Sequence, residues 1–125
     1  MKRLLVFLLF LLAIVSSKAA QYGPYWMYET IEQPAGYAKI VCFSLPEYIA
    51  VGVVLVNVNT QEQISLSTSG TYLPMWYYYI PAGTYEVYSI DATNAAIKIN
   101  GFDVDEGDQV VFGDISGSLI AYPSN

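Results

Sequence analysis

Histidine is absent from this chain of 125 residues, cysteine occurs once, and lysine and arginine together number five. Each shortage excludes something. Without histidine the chain lacks the usual general base near neutral pH and the commonest zinc ligand. With Cys42 alone, no intramolecular disulfide can staple the fold, even in a compartment that would permit one. Cys42 stands in the apolar run Ile40-Val41-Cys42-Phe43, where a free thiol belongs in a core. No serine sits in a Gly-x-Ser-x-Gly setting. Paired carboxylates could in principle hydrolyse glycosides, but the acidic residues fall mostly at turns, where solvation accounts for them. Catalytic residues are therefore not expected, and no enzymatic activity is.

The few basic residues are unevenly placed. Lys2 and Arg3 precede an unbroken apolar run of twelve residues, Leu4 to Val15, and Lys18 lies in the small-residue stretch Ser16-Ser17-Lys18-Ala19-Ala20. This three-part layout is that of a secretory signal peptide, with cleavage expected after Ala19. As a helix the run would cover about 18 Å of a hydrocarbon core about 30 Å thick, too little for a comfortable membrane anchor. The expected organisation is a helical signal peptide over 1–19, an aromatic-rich extension over 20–37 and a folded domain over 38–125. The expected location is secreted, extracellular or at the cell surface, with membrane attachment only if the leader is retained.

Beyond the leader only Lys39 and Lys98 stand against eleven acidic residues, two against eleven, leaving nine negative charges in excess. Such a chain repels phosphate backbones, and neither lysine belongs to a basic patch. Nucleic acid is excluded as a partner. About 100 residues remain, enough for one domain.

What is plentiful is β-forming sequence. Short runs rich in β-branched and aromatic residues recur between turn formers. Strands are expected over Ala38 to Ser44, Gly52 to Val58, Gln63 to Thr68, Trp76 to Ile80, Tyr85 to Ala92, Ile97 to Val104, Gln109 to Gly113 and Ser118 to Tyr122. Helical periodicity fails throughout. The fold class read from this pattern is all-β, a single antiparallel β-sandwich of seven to eight strands. Pro81-Ala82-Gly83-Thr84 suits a tight reversal between two of them. In the extension, Trp26 to Ile31 could make one further short strand.

From about Val53 to Phe112 the chain resembles the exported β-sandwich modules grouped as carboxypeptidase regulatory-like or prealbumin-like domains. Val56-Asn57-Val58-Asn59-Thr60 and Ile80-Pro81-Ala82-Gly83-Thr84-Tyr85-Glu86-Val87 carry the resemblance, the second as a hairpin. It implies an immunoglobulin-like sandwich with an accessory, adhesive or structural role and no catalytic residue. The aromatic run Trp76-Tyr77-Tyr78-Tyr79 departs from the pattern of those modules.

Three features suggest sites. The turn Asp103-Val104-Asp105-Glu106-Gly107-Asp108 sets four carboxylates around a glycine, and Asp103, Asp105, Glu106 and Asp108 are the candidate ligands for calcium, which takes six to eight oxygens. Calcium is the one cofactor this suggests; an ordinary acidic turn is the alternative. Aromatics are the second feature, with twelve tyrosines and two tryptophans. Neighbours on a strand point to opposite faces, so one of Tyr77 or Tyr79, or else Trp76 and Tyr78, is expected to meet solvent or a partner, while core packing and edge covering account for most of the tyrosines. Third, the aromatic segment after the leader, with Trp26 and Tyr28, could add a strand to a neighbouring sandwich, the alternative being that it pairs within its own domain.

Two functions follow as expectations. One is an exported, non-enzymatic structural or assembly protein that associates with itself or another extracellular protein through strand exchange and tyrosine-rich contacts. The other is an exported binding module for carbohydrate or calcium.

Overall fold

The computed structural model describes residues 21–46, 49–68, 75–113 and 116–124, which carry ten strands and no helix. The expected leader lies outside the described residues. Among the described residues no helix is long and apolar enough to cross a membrane. The strands are β1 (Tyr22–Trp26), β2 (Tyr37–Ser44), β3 (Val51–Asn57), β4 (Gln63–Thr68), β5 (Met75–Pro81), β6 (Gly83–Ala92), β7 (Ala95–Ile99), β8 (Phe102–Asp103), β9 (Gln109–Phe112) and β10 (Gly117–Pro123). They form a six-stranded sheet, ordered β1-β5-β2-β10-β7-β8, and a four-stranded sheet, ordered β4-β3-β6-β9.

Alternation along the strands builds the interior. β2 buries Ala38, Ile40, Cys42 and Ser44 and leaves Tyr37, Lys39, Val41 and Phe43 half-buried on its other face. β4 buries Ile64, Leu66 and Thr68 and exposes Gln63, Ser65 and Ser67. In β3, Val51, Val53, Leu55 and Asn57 are buried while the opposite face is half-buried. The apolar inward residues from both sheets join one core cluster, a β-sandwich-like all-β architecture. Burying a side chain such as Leu55 contributes about 1.5–3 kcal/mol. Tyr85 is wholly buried, with its ring 5.9 Å from that of Phe112, and its hydroxyl donates to the Pro81 carbonyl at 2.5 Å. That bond satisfies the polar end of an otherwise apolar side chain.

Several expectations change. The strand expected over 97–104 is divided by Asn100-Gly101, with φ of 53° and 86°, and Ile99 pairs with Phe102 across this two-residue loop. Positive φ at both central residues is what an Asn-Gly hairpin turn requires. The sheets are not wholly antiparallel: β10 runs parallel to β2, pairing Leu119 with Cys42, while antiparallel to β7. β1 lies at Tyr22–Trp26, earlier than the segment expected to be a strand.

Pro81-Ala82-Gly83-Thr84 joins no hairpin. β5 and β6 belong to different sheets, and these residues are the corner between them. Ala82 N–H donates to the Gly36 carbonyl at 2.9 Å, which spends on the N-terminal segment a bond that a hairpin would spend locally. Glycine is needed at 83 because a Cβ there would stand 2.9 Å from Asn57 Nδ2. Asn57 has little room to move, since its Oδ1 accepts from the N–H groups of Asn59 (2.9 Å) and Thr60 (3.0 Å) and so shapes the turn after β3.

Candidate functional site

The sequence Met75-Trp76-Tyr77-Tyr78-Tyr79-Ile80 makes β5 aromatic on both faces. Trp76, Tyr78 and Ile80 point into the core. Tyr77 and Tyr79 point the other way, yet each is only 3% exposed. The N-terminal segment buries them. β1 pairs with β5 antiparallel, Tyr25 opposite Tyr77 and Trp26 opposite Trp76, and β2 pairs with β5 on its other side. The connection from β1 to β2 therefore passes over the outer face of β5.

Phenol hydroxyls hold this connection down. Tyr77 OH donates to the Glu29 carbonyl at 2.5 Å, and Tyr79 OH donates to the Ile31 carbonyl at 2.6 Å. Ile31 N–H in turn donates to the Tyr77 oxygen at 3.3 Å. The rings of Tyr25, Tyr77 and Tyr79 form a cluster with centroids 5.5–6.1 Å apart. Lys39 Nζ lies 4.3 Å from the Tyr77 ring centre, a cation–π contact of about 0.5–1 kcal/mol. Burial and the neighbouring Tyr77 raise the pKa of Tyr79, so its hydroxyl stays protonated and able to donate.

A second set of contacts ties the segment to the other sheet. The Gln21 side-chain amide both donates to the Ser65 carbonyl and accepts from Ser65 N–H, the latter at 3.2 Å. It thus stands in for a peptide group at the outer edge of β4. Two residues on, Trp76 Nε1 donates to the Ser67 carbonyl at 2.8 Å, and Ser67 Oγ lies 3.2 Å from Tyr78 OH. Unpaired strand edges invite pairing with other chains, and these side chains occupy one. Between β1 and this edge lies a groove of about 410 Å³ lined by Pro24, Tyr25, Trp26, Ser67 and Trp76. The indoles of Trp26 and Trp76 meet edge to face there, 6.2 Å apart at 81°.

Six residues were expected to mediate interaction. Trp76, Tyr77, Tyr78 and Tyr79 are all buried, contrary to the expectation that at least one meets solvent or a partner, because the outer pair is covered by the chain's own N-terminal segment. Trp26 and Tyr28 are exposed, to 44% and 83%. They belong to a group with Tyr22, Met27 and Ile31, so the segment docks through its inner side and presents apolar side chains outward.

The four acidic candidates are not gathered. Asp108 Oδ2 accepts from Asp105 N–H at 2.8 Å, Glu106 Oε1 from Ile90 N–H at 3.0 Å, and Asp103 from the Tyr122 hydroxyl. Three of the four carboxylates thus serve different partners, and the bond from Ile90 to Glu106 ties the turn to β6. Among the described residues no three histidine, cysteine or acidic side chains are placed to hold a metal ion. The bond to Asp103 raises the pKa of Tyr122.

Gln21, Tyr25, Ser65 and Ser67 belong to the site and were not singled out from the sequence. Gln21 precedes any strand pattern, and its role depends on two sheet edges meeting, which no local signal encodes. Tyr25 could have been weighed with the other aromatics of the extension. The chain matches no family model, no curated protein and no solved structure.

Proposed function

We propose that this is an exported, non-enzymatic β-sandwich protein with a structural or assembly role, whose copies associate by exchanging the N-terminal segment. One observation carries the reading. Residues 21–36 form an edge strand and a connection laid on the outside of β5, held by a strand ladder, tyrosine hydroxyls and the Gln21 amide. Nothing in those contacts depends on the segment and β5 being in the same molecule. Supplied by a second copy, the segment would cover the same tyrosines, as in other forms of strand addition. Exchange of an identical element is a low-cost route to association.

Two further features support it. The segment shows exposed Trp26, Met27 and Tyr28 to its surroundings, and the composition lacks histidine, the usual general base. The single sandwich, resembling carboxypeptidase regulatory-like modules, and the cleaved leader are parts of the same proposal.

Light scattering coupled to size exclusion tests it on the chain from Ala20 to the C-terminus. Mass should rise with concentration, and a chain beginning at Gly36 should not form the same species. A monomer at every concentration would remove the assembly reading.

A further inference from the structure

The groove between β1 and β4 is walled on one side by the N-terminal segment, and it forms whether that segment comes from the same copy or from another. Of the five described residues that line it three are aromatic, and both tryptophans of the chain are among them. Its volume, about 410 Å³, falls within the range of about 300–1,000 Å³ typical of small-molecule sites. Among the described residues no charged side chain lines it, although the chain is strongly acidic.

These properties select an occupant. An anionic ligand would enter against the negative field of the domain and meet no cationic side chain among the described lining residues. A cation would find no carboxylate among the described lining residues. A flat, uncharged molecule with apolar C–H faces and hydroxyl edges fits better. The face of an indole is electron-rich, and the C–H groups of a pyranose ring present weakly positive hydrogens to it. Trp26 and Trp76, nearly perpendicular, form a corner with one half-open wall, and Ser67 supplies a hydroxyl at the rim. We propose that this groove binds an uncharged glycan, with a pyranose ring packed on Trp26.

The site does not rest on strand exchange, and a monomer that binds sugar would leave it standing. Because both tryptophans line the groove, indole fluorescence reports on it directly. Protein recovered after export would be titrated with short neutral oligosaccharides (glucan, mannan, xylan and chitin series), with acidic oligogalacturonate, and with an extended apolar peptide. At least one neutral series should change the emission saturably, with a Kd of about 1 mM or tighter. Trp26→Ala should weaken this by about tenfold or more, while Tyr88→Ala, which removes an exposed aromatic elsewhere, should not. Should Trp26→Ala fail to fold, Ser67→Lys puts a charge and bulk at the rim from an exposed edge position, and should weaken binding equally. No response to any neutral series would overturn the proposal. So would a response to the acidic glycan or the peptide alone, or full binding by a folded Trp26→Ala or Ser67→Lys variant.

Discussion

The hydroxyl of Tyr77 donates a 2.5 Å hydrogen bond to the carbonyl of Glu29, 48 residues earlier in the chain. Through it a side chain that alternation would send to solvent becomes the anchor of the N-terminal segment. Tyr79 repeats the arrangement with Ile31.

Removing the two hydroxyls should loosen the segment without unfolding the domain. Tyr77→Phe and Tyr79→Phe keep the rings and each lose a bond worth about 1 kcal/mol. Hydrogen exchange should show faster exchange for residues 21–36 in the double variant, while the β3 amides keep their protection. Equal loss of protection in both regions would show that the segment is part of the global fold and not a separable strap.

Two glycines should respond in opposite ways to alanine. A Cβ at Gly117 would stand 2.8 Å from both Asn100 Oδ1 and Phe112 Cδ1 and 3.0 Å from Ile40 Cδ1, between elements that are packed on each other. Gly117→Ala should destabilise by about 1–3 kcal/mol. At Gly52, within β3, the nearest atom would be Asp91 Cβ at 3.9 Å, an ordinary contact. Gly52→Ala should be neutral or stabilising by about 0.5–1 kcal/mol. Denaturant midpoints for the two variants check both signs.

Cys42 should be silent until the chain unfolds. It is wholly buried, and burial pushes its thiol pKa far up. The thiolate is the reactive form, so a disulfide reagent should leave Cys42 unmodified in native protein and react fully in denaturant. Fast reaction under native conditions would mean that β2 opens readily.

Alkali should destabilise the protein. Burial raises the pKa of Tyr78 and Tyr85 above the ordinary phenol value of 10.0, although Ser67 offsets part of this at Tyr78 and Asn57 part at Tyr85. Above pH 10 the folded chain then holds protons that the unfolded chain releases, so stability falls as pH rises. Each such proton costs about 1.4 kcal/mol per pH unit through the window between the two pKa values. Urea melts across that range, with phenolate absorbance followed in parallel, should show stability constant below pH 10 and declining above it. Undiminished stability well above pH 10 would mean that these phenols ionise without leaving the core.

Much of the fold was legible because strands advertise themselves locally. The alternation in Gln63 to Thr68 gave β4 with both its boundaries, and most other strands were read to within a residue or two. Partnership between strands was not legible. Pro81-Ala82-Gly83 has hairpin chemistry, yet it is a corner between sheets, because long-range pairing decides where β5 and β6 go. Asn100-Gly101 is itself a turn signal, but the apolar run around it reads as one continuous strand. At the candidate site, the outward tyrosines of the aromatic run on β5 face the chain's own N-terminus. Gln21 carries no local signal at all, since only the finished fold sets it against Ser65.

The most direct test of strand exchange places a cysteine on each side of the β1–β5 ladder. Tyr25 and Tyr77 are directly opposed, so Tyr25→Cys with Tyr77→Cys should form a disulfide wherever that pairing exists, with buried Cys42 taking no part. The assembled fraction from size exclusion would be oxidised and run on a non-reducing denaturing gel. Exchange between copies should give covalent dimers and higher multimers that collapse to monomer on reduction. Internally bridged monomers alone, or no assembled fraction to oxidise, would contradict it and leave the N-terminal segment as a strap on its own domain.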